Sequence, residues 1–206
     1  RLQVEHPITE EITGLDLVRE QIRVAEGHAL EFEQKDLRIS GHAIEARIYA
    51  ENPTRDFLPA PGTIKAWQPS TVAKARFDSG IETGSIIGTQ FDPMIAKVIV
   101  HAKTRAEAIS RLARVLETTR IQGLTTNRDF LVATLRTQAF LDGDTTTDFI
   151  ERINPARETI VANEHLHHAA IAAAIELRGQ RQRQAKVLKG IPRGWRNSHL
   201  PPQRVS

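Results

Sequence analysis

The chain has 206 residues, a formal net charge of +3, 26% charged and 40% hydrophobic residues, and no cysteine. This composition is typical of a globular protein, and it excludes disulfides and thiolate metal sites. No run of about 18 apolar residues is present to span a bilayer, and the lack of cysteine fits a reducing compartment, so we expect a cytoplasmic protein without a membrane partner.

The first residues, RLQVEHP, alternate apolar Leu2 and Val4 with polar neighbours. This alternation predicts a strand that places Arg1, Gln3 and Glu5 on one face, with neighbours about 6.5–7 Å apart. A cation, an amide and a carboxylate in one row suit the wall of an active site. The solvated side of a half-buried strand produces the same pattern, and on the residues alone it is the commoner explanation.

After Pro7, the sequence EITGLDLVREQIRVAEG is typical of a helix. Asp16 is suited to cap it, and Gly27 is suited to the position just beyond its end. Between these two residues an apolar stripe recurs at helical spacing. The stripe consists of Leu17, Val18, Ile22 and Ala25.

The segment from Ile39 onward alternates and predicts strands, with Gly41 as a break. One face carries Ala43, Glu45, Arg47 and Tyr49, and the other carries Ile44, Ala46 and Ile48. The proline-containing NPTRDFLPAPG is predicted to be a loop, while TIKAWQP, VAKARFD and PMIAKVIVHA are predicted to be further strands. The glycines between the later strands have the spacing of turns and not of a phosphate-binding loop. They are Gly80, Gly84 and Gly88.

The period changes at Thr104, where a helix is predicted to begin. Thr104 and Glu107 have the spacing of a capping box, and apolar residues recur on one face of TRAEAISRLARVLETT. A further helix opens at Asn127. It is expected to bury Phe130, Leu131 and Leu135. Strands followed by helices indicate an α+β domain with helices packed on an antiparallel sheet, closing near Ile153.

Beyond Ile153 the sequence predicts a helix over ANEHLHHAAIAAAIELRGQRQRQ and then an irregular, proline-rich end. His165 and His168 are three residues apart, a spacing that suits weak metal binding. Since no third ligand is near, a solvated helix face is the favoured interpretation.

Eight basic residues between 178 and 204 meet no acid. They are Arg178, Arg181, Arg183, Lys186, Lys189, Arg193, Arg196 and Arg204. A nucleic-acid-binding arm is one interpretation, but Trp195 is the one aromatic residue available to stack on bases. A solvated basic tail is therefore favoured, and we expect no nucleic-acid partner.

The opening segment RLQVEHPITEEITGLDLVREQIRVAEG resembles the catalytic segment of the biotin carboxylases, where a strand ending in Arg-x-Gln-Val-Glu-His-Pro leads into Thr-Glu and a helix. The resemblance continues through GHAIEARIYAENP, FLPAPGTI, FDPMIAKVIVHAKTRAEAISRLARVLE and GLTTNRDFL, over about the first 150 residues. It implies the end of an ATP-grasp domain at residues 1–33 and the biotin carboxylase C-terminal domain at 34–153. Residues 154–206 would form a linker and the start of the region leading to the biotin carrier.

The resemblance also implies roles for individual residues. Arg1 would clamp bicarbonate, since a guanidinium matches a planar oxyanion bidentately, with the Gln3 side chain and the Val4 backbone completing that site. Glu5 lies where the family has the general base that deprotonates bicarbonate. Arg47 matches the family's second catalytic arginine, which binds biotin and stabilises the charge that develops on the ureido oxygen as N1 loses its proton.

Other polar residues of the matched segments are given structural roles. Taken alone, Arg47 would be an ordinary surface or ion-paired arginine. His6 has no metal-ligand partner at a suitable spacing and is expected to be structural. Asp92, in FDPM, is expected to be a turn or ion-pair residue, so we predict no metal ligands in this chain.

The resemblance places the family's nucleotide-binding residues ahead of Arg1, and the chain contains none of them. ATP and Mg²⁺ or Mn²⁺ would then be bound mainly by upstream residues, and biotin would be carried on a domain outside this chain. We therefore expect a fragment that has the bicarbonate and biotin side of the site and is inactive alone.

The segments GIPRGWRN and PPQRV resemble the region that follows the biotin carboxylase part in alpha subunits of acetyl-/propionyl-CoA and related acyl-CoA carboxylases. The expected partners are a biotin carboxyl carrier domain, a carboxyltransferase subunit and further copies of the parent. The sequence leaves the acyl-CoA acceptor and the number of copies open. An alternative is a non-catalytic module for assembly or carrier docking.

Overall fold

The structure of the protein is a computed structural model that describes residues 1–158 and 163–184. The chain forms two compact units, Arg1–Thr159 and Ile160–Ser206. In the first unit the helices are α1 (His6–Thr13), α2 (Leu17–Ala25), α3 (Arg105–Thr118), α4 (Arg128–Leu135), α5 (Gln138–Asp142) and α6 (Phe149–Ile153). Its strands are β1 (His42–Tyr49), β2 (Glu51–Asn52), β3 (Leu58–Pro59), β4 (Gly62–Thr63), β5 (Ala66–Gln68), β6 (Arg76–Ser79), β7 (Ile86–Ile87), β8 (Met94–Ala102) and β9 (Arg120–Gln122).

The central sheet of the first unit is antiparallel, with strand order β1-β8-β6. Three short pairs, β2-β3, β4-β7 and β5-β9, surround it. Helices α3 and α4 pack against β1, and α3 also packs against β8. The predicted α+β class, with helices on an antiparallel sheet, is confirmed.

One face of the central sheet is apolar and forms the core with α3. Ile48 and Val98 are fully buried on the strands, and Leu112 and Leu116 are fully buried on the helix. Burying each such side chain contributes roughly 1.5–3 kcal/mol, so this face is the main source of stability. The predicted capping box starts α3, because Thr104 and Glu107 exchange hydrogen bonds of 3.3 Å.

A glycine is required where the chain enters β1. Gly41 has φ +68°, and a Cβ there would lie 2.4 Å from the carbonyl oxygen of Ala102. Glycine allows this close approach and the left-handed backbone, which brings the chain directly into register with β8. The predicted break at this residue is thus confirmed.

Residues 1–5 do not form the predicted strand. The carbonyl of Gln3 accepts the His6 N–H at 3.2 Å, and Glu5 has helical φ and ψ as the N-cap of α1, so the chain turns at Val4 and Glu5. A strand needs a neighbour to pair its backbone, and no strand in the described part of the chain pairs with this segment. The alternation is nevertheless seen in exposure, because the polar side chains are exposed and the apolar ones half-buried.

The single helix predicted after Pro7 is two helices. Gly14, with φ +77°, ends α1 by donating its N–H to the Glu10 carbonyl at 2.8 Å. Asp16 caps α2 as predicted, accepting the Arg19 N–H at 2.9 Å. No residue of α2 is buried, so its predicted apolar stripe is open to solvent. The strand expected around Ile39 is also absent, and Ile39 is 79% exposed.

In the second unit, α7 (Asn163–Gln184) confirms the predicted helix. His165 and His168 are exposed on it, as expected of a solvated face. The proline-rich end, Trp195 and the basic residues from Lys186 onward lie outside the described residues. No described helix is both long enough and apolar enough to cross a bilayer.

Candidate active site

The face of the central sheet opposite the apolar core is charged. Arg47, Lys97 and Asp78 are direct cross-strand partners on β1, β8 and β6, so their side chains form one row across this face. Glu45 and Arg76 flank Ile99 in the next row. Helix α1 packs against β1 and β8, and its N-cap Glu5 and its residue Glu10 form ion pairs with arginines of this face.

The turn before α1 brings Glu5 to Arg47. A guanidinium nitrogen of Arg47 donates to a Glu5 carboxylate oxygen at 2.9 Å, across 42 residues of sequence. The Arg47 side chain is 38% exposed and that of Glu5 is 51% exposed, so the pair lies where a ligand can approach. Burial lowers the pKa of Arg47, but hydrogen bonds to Tyr49 and Glu45 raise it above its ordinary value, and the cation is permanent.

Glu45 is the buried carboxylate of this face, with a side chain only 4% exposed. One of its oxygens lies 3.4 Å from Nε of Arg47, and the other has no hydrogen-bond partner among the described residues. Burial raises the pKa of Glu45, although the nearby charges of Lys97 and Arg47 counteract it. The buried Glu45 carboxylate therefore offers an acceptor to the Nε edge of the Arg47 guanidinium.

Lys97 joins the sheet to the turn before α1. Its ammonium donates to the Val4 carbonyl at 3.4 Å and lies 3.5 Å from Asp78. Asp78 accepts two hydrogen bonds from Arg76, at 2.9 and 3.0 Å. Burial raises the pKa of Asp78, but the bonds from Arg76 and the charge of Lys97 outweigh it and hold that pKa below its ordinary value. Arg76 also donates to Glu10 at 2.6 Å, which ties α1 to β6.

The predicted bicarbonate ligands lie at or just before this turn, and among the described residues no side-chain hydrogen bond or ion pair joins Arg1 or Gln3 to Glu5 or Arg47. Arg1 is exposed and has no hydrogen bond or ion pair within the described residues. The Gln3 side chain is exposed, and among the described residues no group accepts the Val4 N–H. The exposed side chains of Arg1 and Gln3 and the Val4 N–H are hydrogen-bond donors of the kind that bind an oxyanion.

Two residues given structural roles from the sequence have such roles. His6 Nδ1 accepts the Gln3 N–H at 2.7 Å, which closes the turn before α1. Asp92 accepts the Met94 N–H at 2.8 Å, so its interpretation as a turn residue is confirmed. Within residues 1–158 and 163–184, no group of three or more His, Cys, Asp or Glu side chains is arranged to hold a metal ion.

Sequence reasoning missed three contributors to this site. Glu45 shares a strand face with Arg47, and the alternation itself carries that signal. Lys97 is a lone charge in the apolar strand MIAKVIV, which marks it as a residue with a partner. Asn127 was assigned to open α4, and its contacts with β1 had no sequence signal.

Two known domain families match the chain. The family described as Biotin carboxylase C-terminal domain matches residues 45–152. The family described as Carbamoyl-phosphate synthase L chain, ATP binding domain matches residues 1–33.

Individual proteins agree with these matches. Biotin carboxylase 2 of Bacillus subtilis is 50% identical over 152 residues, which cover 74% of this chain and 34% of that protein. The human mitochondrial propionyl-CoA carboxylase alpha chain is 46% identical over 157 residues, covering 75% of this chain and 22% of that protein. The chain thus spans about a third of the length of the first relative and less of the second.

Solved structures share the fold. One is the biotin carboxylase domain dimer of Hydrogenobacter thermophilus 2-oxoglutarate carboxylase, in complex with MgADP, ADP and bicarbonate. It superposes with a TM-score of 0.76 at 37% identity, and the match covers 78% of this chain and 36% of that chain.

Proposed function

The chain belongs to the biotin carboxylase family, and from this membership we propose that it carries the bicarbonate and biotin side of a biotin carboxylase active site. The reaction is the ATP- and bicarbonate-dependent carboxylation of carrier-bound biotin. The 2.9 Å contact between Glu5 and Arg47 is the observation that carries the proposal. It joins the two residues that the resemblance assigns to proton abstraction and to biotin.

Each residue has a defined task in this proposal. Arg1 holds bicarbonate bidentately, with the Gln3 side chain and the free Val4 N–H as further donors. Glu5 takes the proton from bicarbonate, because it is a half-exposed carboxylate in the same segment as the proposed bicarbonate donors. Arg47 presents a permanent positive charge to the ureido oxygen as N1 loses its proton, which stabilises the charge that develops there.

We further propose that nucleotide chemistry depends on residues outside this chain. The described residues offer no metal-ion cluster, so we assign no metal-dependent step to them. ATP and Mg²⁺ or Mn²⁺ would be held mainly by the part of the ATP-binding domain that precedes residues 1–33 in that family. The 206-residue chain alone is therefore expected to be inactive.

The proposed partners follow from the same reasoning. They are a biotin carboxyl carrier domain, a carboxyltransferase subunit and further copies of the same polypeptide, as in acyl-CoA carboxylases. A cytoplasmic location and the absence of a nucleic-acid partner stay predictions from composition.

The test is bicarbonate- and biotin-dependent ADP release by the longest natural polypeptide that contains this sequence. We expect Glu5→Gln and Arg47→Ala each to lower this rate at least about 100-fold, as is usual when a proton-transfer or charge-stabilising group is removed. Arg114→Ala is the matched control, because Arg114 is 65% exposed on α3 and, among the described residues, its guanidinium has one ion pair, with the nearby Glu117 at 3.8 Å.

Unchanged rates in Glu5→Gln and Arg47→Ala would overturn the site assignment. A natural polypeptide that shows no such activity, yet binds the carrier domain, would favour the alternative of a non-catalytic docking module.

A further inference from the structure

Strand β1, which carries Arg47, lies at the edge of the central sheet. It pairs with β8 on one side only. The backbone N–H and C=O groups on its other side therefore need partners that no strand among the described residues supplies. A cavity of about 280 Å³ adjoins β1 on the side of α4, and Arg47, Tyr49 and Asn127 are among its lining residues.

The side chain of Asn127 supplies those partners beside Arg47. Its Oδ1 accepts the Tyr49 N–H at 2.9 Å, and its Nδ2 donates to the Arg47 carbonyl at 3.1 Å. The Asn127 N–H also donates to the Tyr49 carbonyl at 3.2 Å. A primary amide thus takes the place of a neighbouring strand, and Asn127 is only 6% exposed while doing so.

These contacts lie where the register of β1 changes. The pairing with β8 shifts between Ile48 and Tyr49, which is the mark of a bulge. Ile48 pairs with Ala96 and Tyr49 pairs with Met94, so the extra residue is Ile95 on β8, and an irregularity of this kind redirects the side chains around it. Asn127 hydrogen-bonds both residues that flank Ile48, so it fixes the β1 backbone at this irregularity.

The Asn127 side chain does not cap the helix that Asn127 begins. Asn127 is the N-cap residue of α4, yet its side chain makes no capping hydrogen bond. Thr104 and Thr137, at the N-caps of α3 and α5, do cap their helices. The amide of Asn127 is used for β1 instead of for its own helix.

We propose that Asn127 is a positioning residue for Arg47, acting by fixing the β1 backbone from which the Arg47 side chain reaches Glu5. This inference rests on the proposed function, because it assigns Asn127 a catalytic consequence only through Arg47. Asparagine is suited to the task because it offers one donor and one acceptor in the spacing of a peptide group.

A double-mutant cycle in the natural polypeptide tests this inference. We expect Asn127→Ala to lower kcat/KM for biotin about 10- to 100-fold, since small misplacements of a catalytic group have effects of this size. In an Arg47→Ala background, Asn127→Ala should lower kcat/KM for biotin less than about twofold. A residue that acts through Arg47 has no further effect once the Arg47 side chain is gone. The KM for ATP should not change.

Two further variants separate positioning from loss of stability. Thr104→Ala removes a side-chain helix cap of the same kind but touches neither Arg47 nor Tyr49, and it should leave kcat/KM for biotin unchanged. Asn127→Ser keeps a residue able to cap α4 but is too short to span both backbone groups, so it should fold and still show the loss.

The chain alone provides a readout that needs no activity. Hydrogen exchange at the Tyr49 amide should be about tenfold faster in Asn127→Ala than in wild type, and unchanged in Thr104→Ala. Multiplicative losses in the cycle, or an unchanged Tyr49 exchange rate, would overturn the role of Asn127. Full activity of Arg47→Ala would instead overturn the proposed function. The exchange rate of the Tyr49 amide would still show whether Asn127 holds the β1 backbone.

Discussion

The guanidinium of Arg47 lies between two carboxylates, Glu5 and Glu45, that differ in their exposure to solvent. Glu5 is half exposed, and an ion pair of this kind contributes at most about 1 kcal/mol, so a ligand can displace it at little cost. Glu45 is 4% exposed and cannot be rehydrated while the fold is intact. The buried carboxylate therefore orients Arg47, and the exposed one is free to exchange its partner for substrate.

The burial of Glu45 has a consequence for stability. Its pKa is raised above the ordinary value of 4.5 mainly by burial, so the folded chain holds this proton more tightly than the unfolded chain does. The free energy of unfolding must then fall as the pH rises from about 4.5 through the raised pKa. We expect Glu45→Gln to remove this part of the decline. Urea unfolding of the wild type and Glu45→Gln at acid and neutral pH measures this difference. An equal fall in the free energy of unfolding of the two proteins would refute the attribution to Glu45.

At the level of elements, the Glu10 side chain links α1 to both β6 and α2. Glu10 accepts the Arg76 guanidinium on β6 at 2.6 Å and, with its other oxygen, the Leu17 N–H at the start of α2 at 2.9 Å. Its side chain is 13% exposed. Helix α1 in turn follows the turn that carries Glu5, so Glu10 anchors the element that places the proposed base.

The neighbouring acid offers a matched comparison. Glu10→Ala should lower the free energy of unfolding by about 1.5–3 kcal/mol, the range for hydrogen bonds to charged groups. Glu11→Ala should change it by less than about 0.5 kcal/mol, because the Glu11 side chain has no hydrogen bond or ion pair within the described residues. Urea titration of the 206-residue chain compares them, and equal effects would show that Glu10 does not anchor α1.

At the scale of the whole first unit, the central sheet divides two tasks between its faces. The apolar face packs on α3 and supplies most of the stability, while the charged face meets α1 and forms the candidate site. Period-two alternation in β1 produces both faces at once, since Ile44, Ala46 and Ile48 are directed to one side and Glu45 and Arg47 to the other.

Much of this arrangement could be predicted from local pattern. The capping box at Thr104 and the alternation of β1 identified their elements, because each depends on residues close in sequence. The strand expected at residues 1–5 was wrong, because alternation cannot tell whether a partner strand exists. Asn127 was assigned only to a helix start, since its hydrogen bonds to Arg47 and Tyr49 span about 80 residues of sequence and leave no local signal.

Transfer of labelled bicarbonate to biotin by the natural polypeptide, compared with Glu5→Gln, Arg47→Ala and their double variant, decides whether Glu5 and Arg47 act together in the site. Because the two side chains contact each other at 2.9 Å, we predict that each single change abolishes most of the transfer. The double variant should then be no worse than the poorer single variant, as is usual for groups that act as a unit. Single variants that transfer label at the wild-type rate would contradict the account, as would losses that multiply in the double variant.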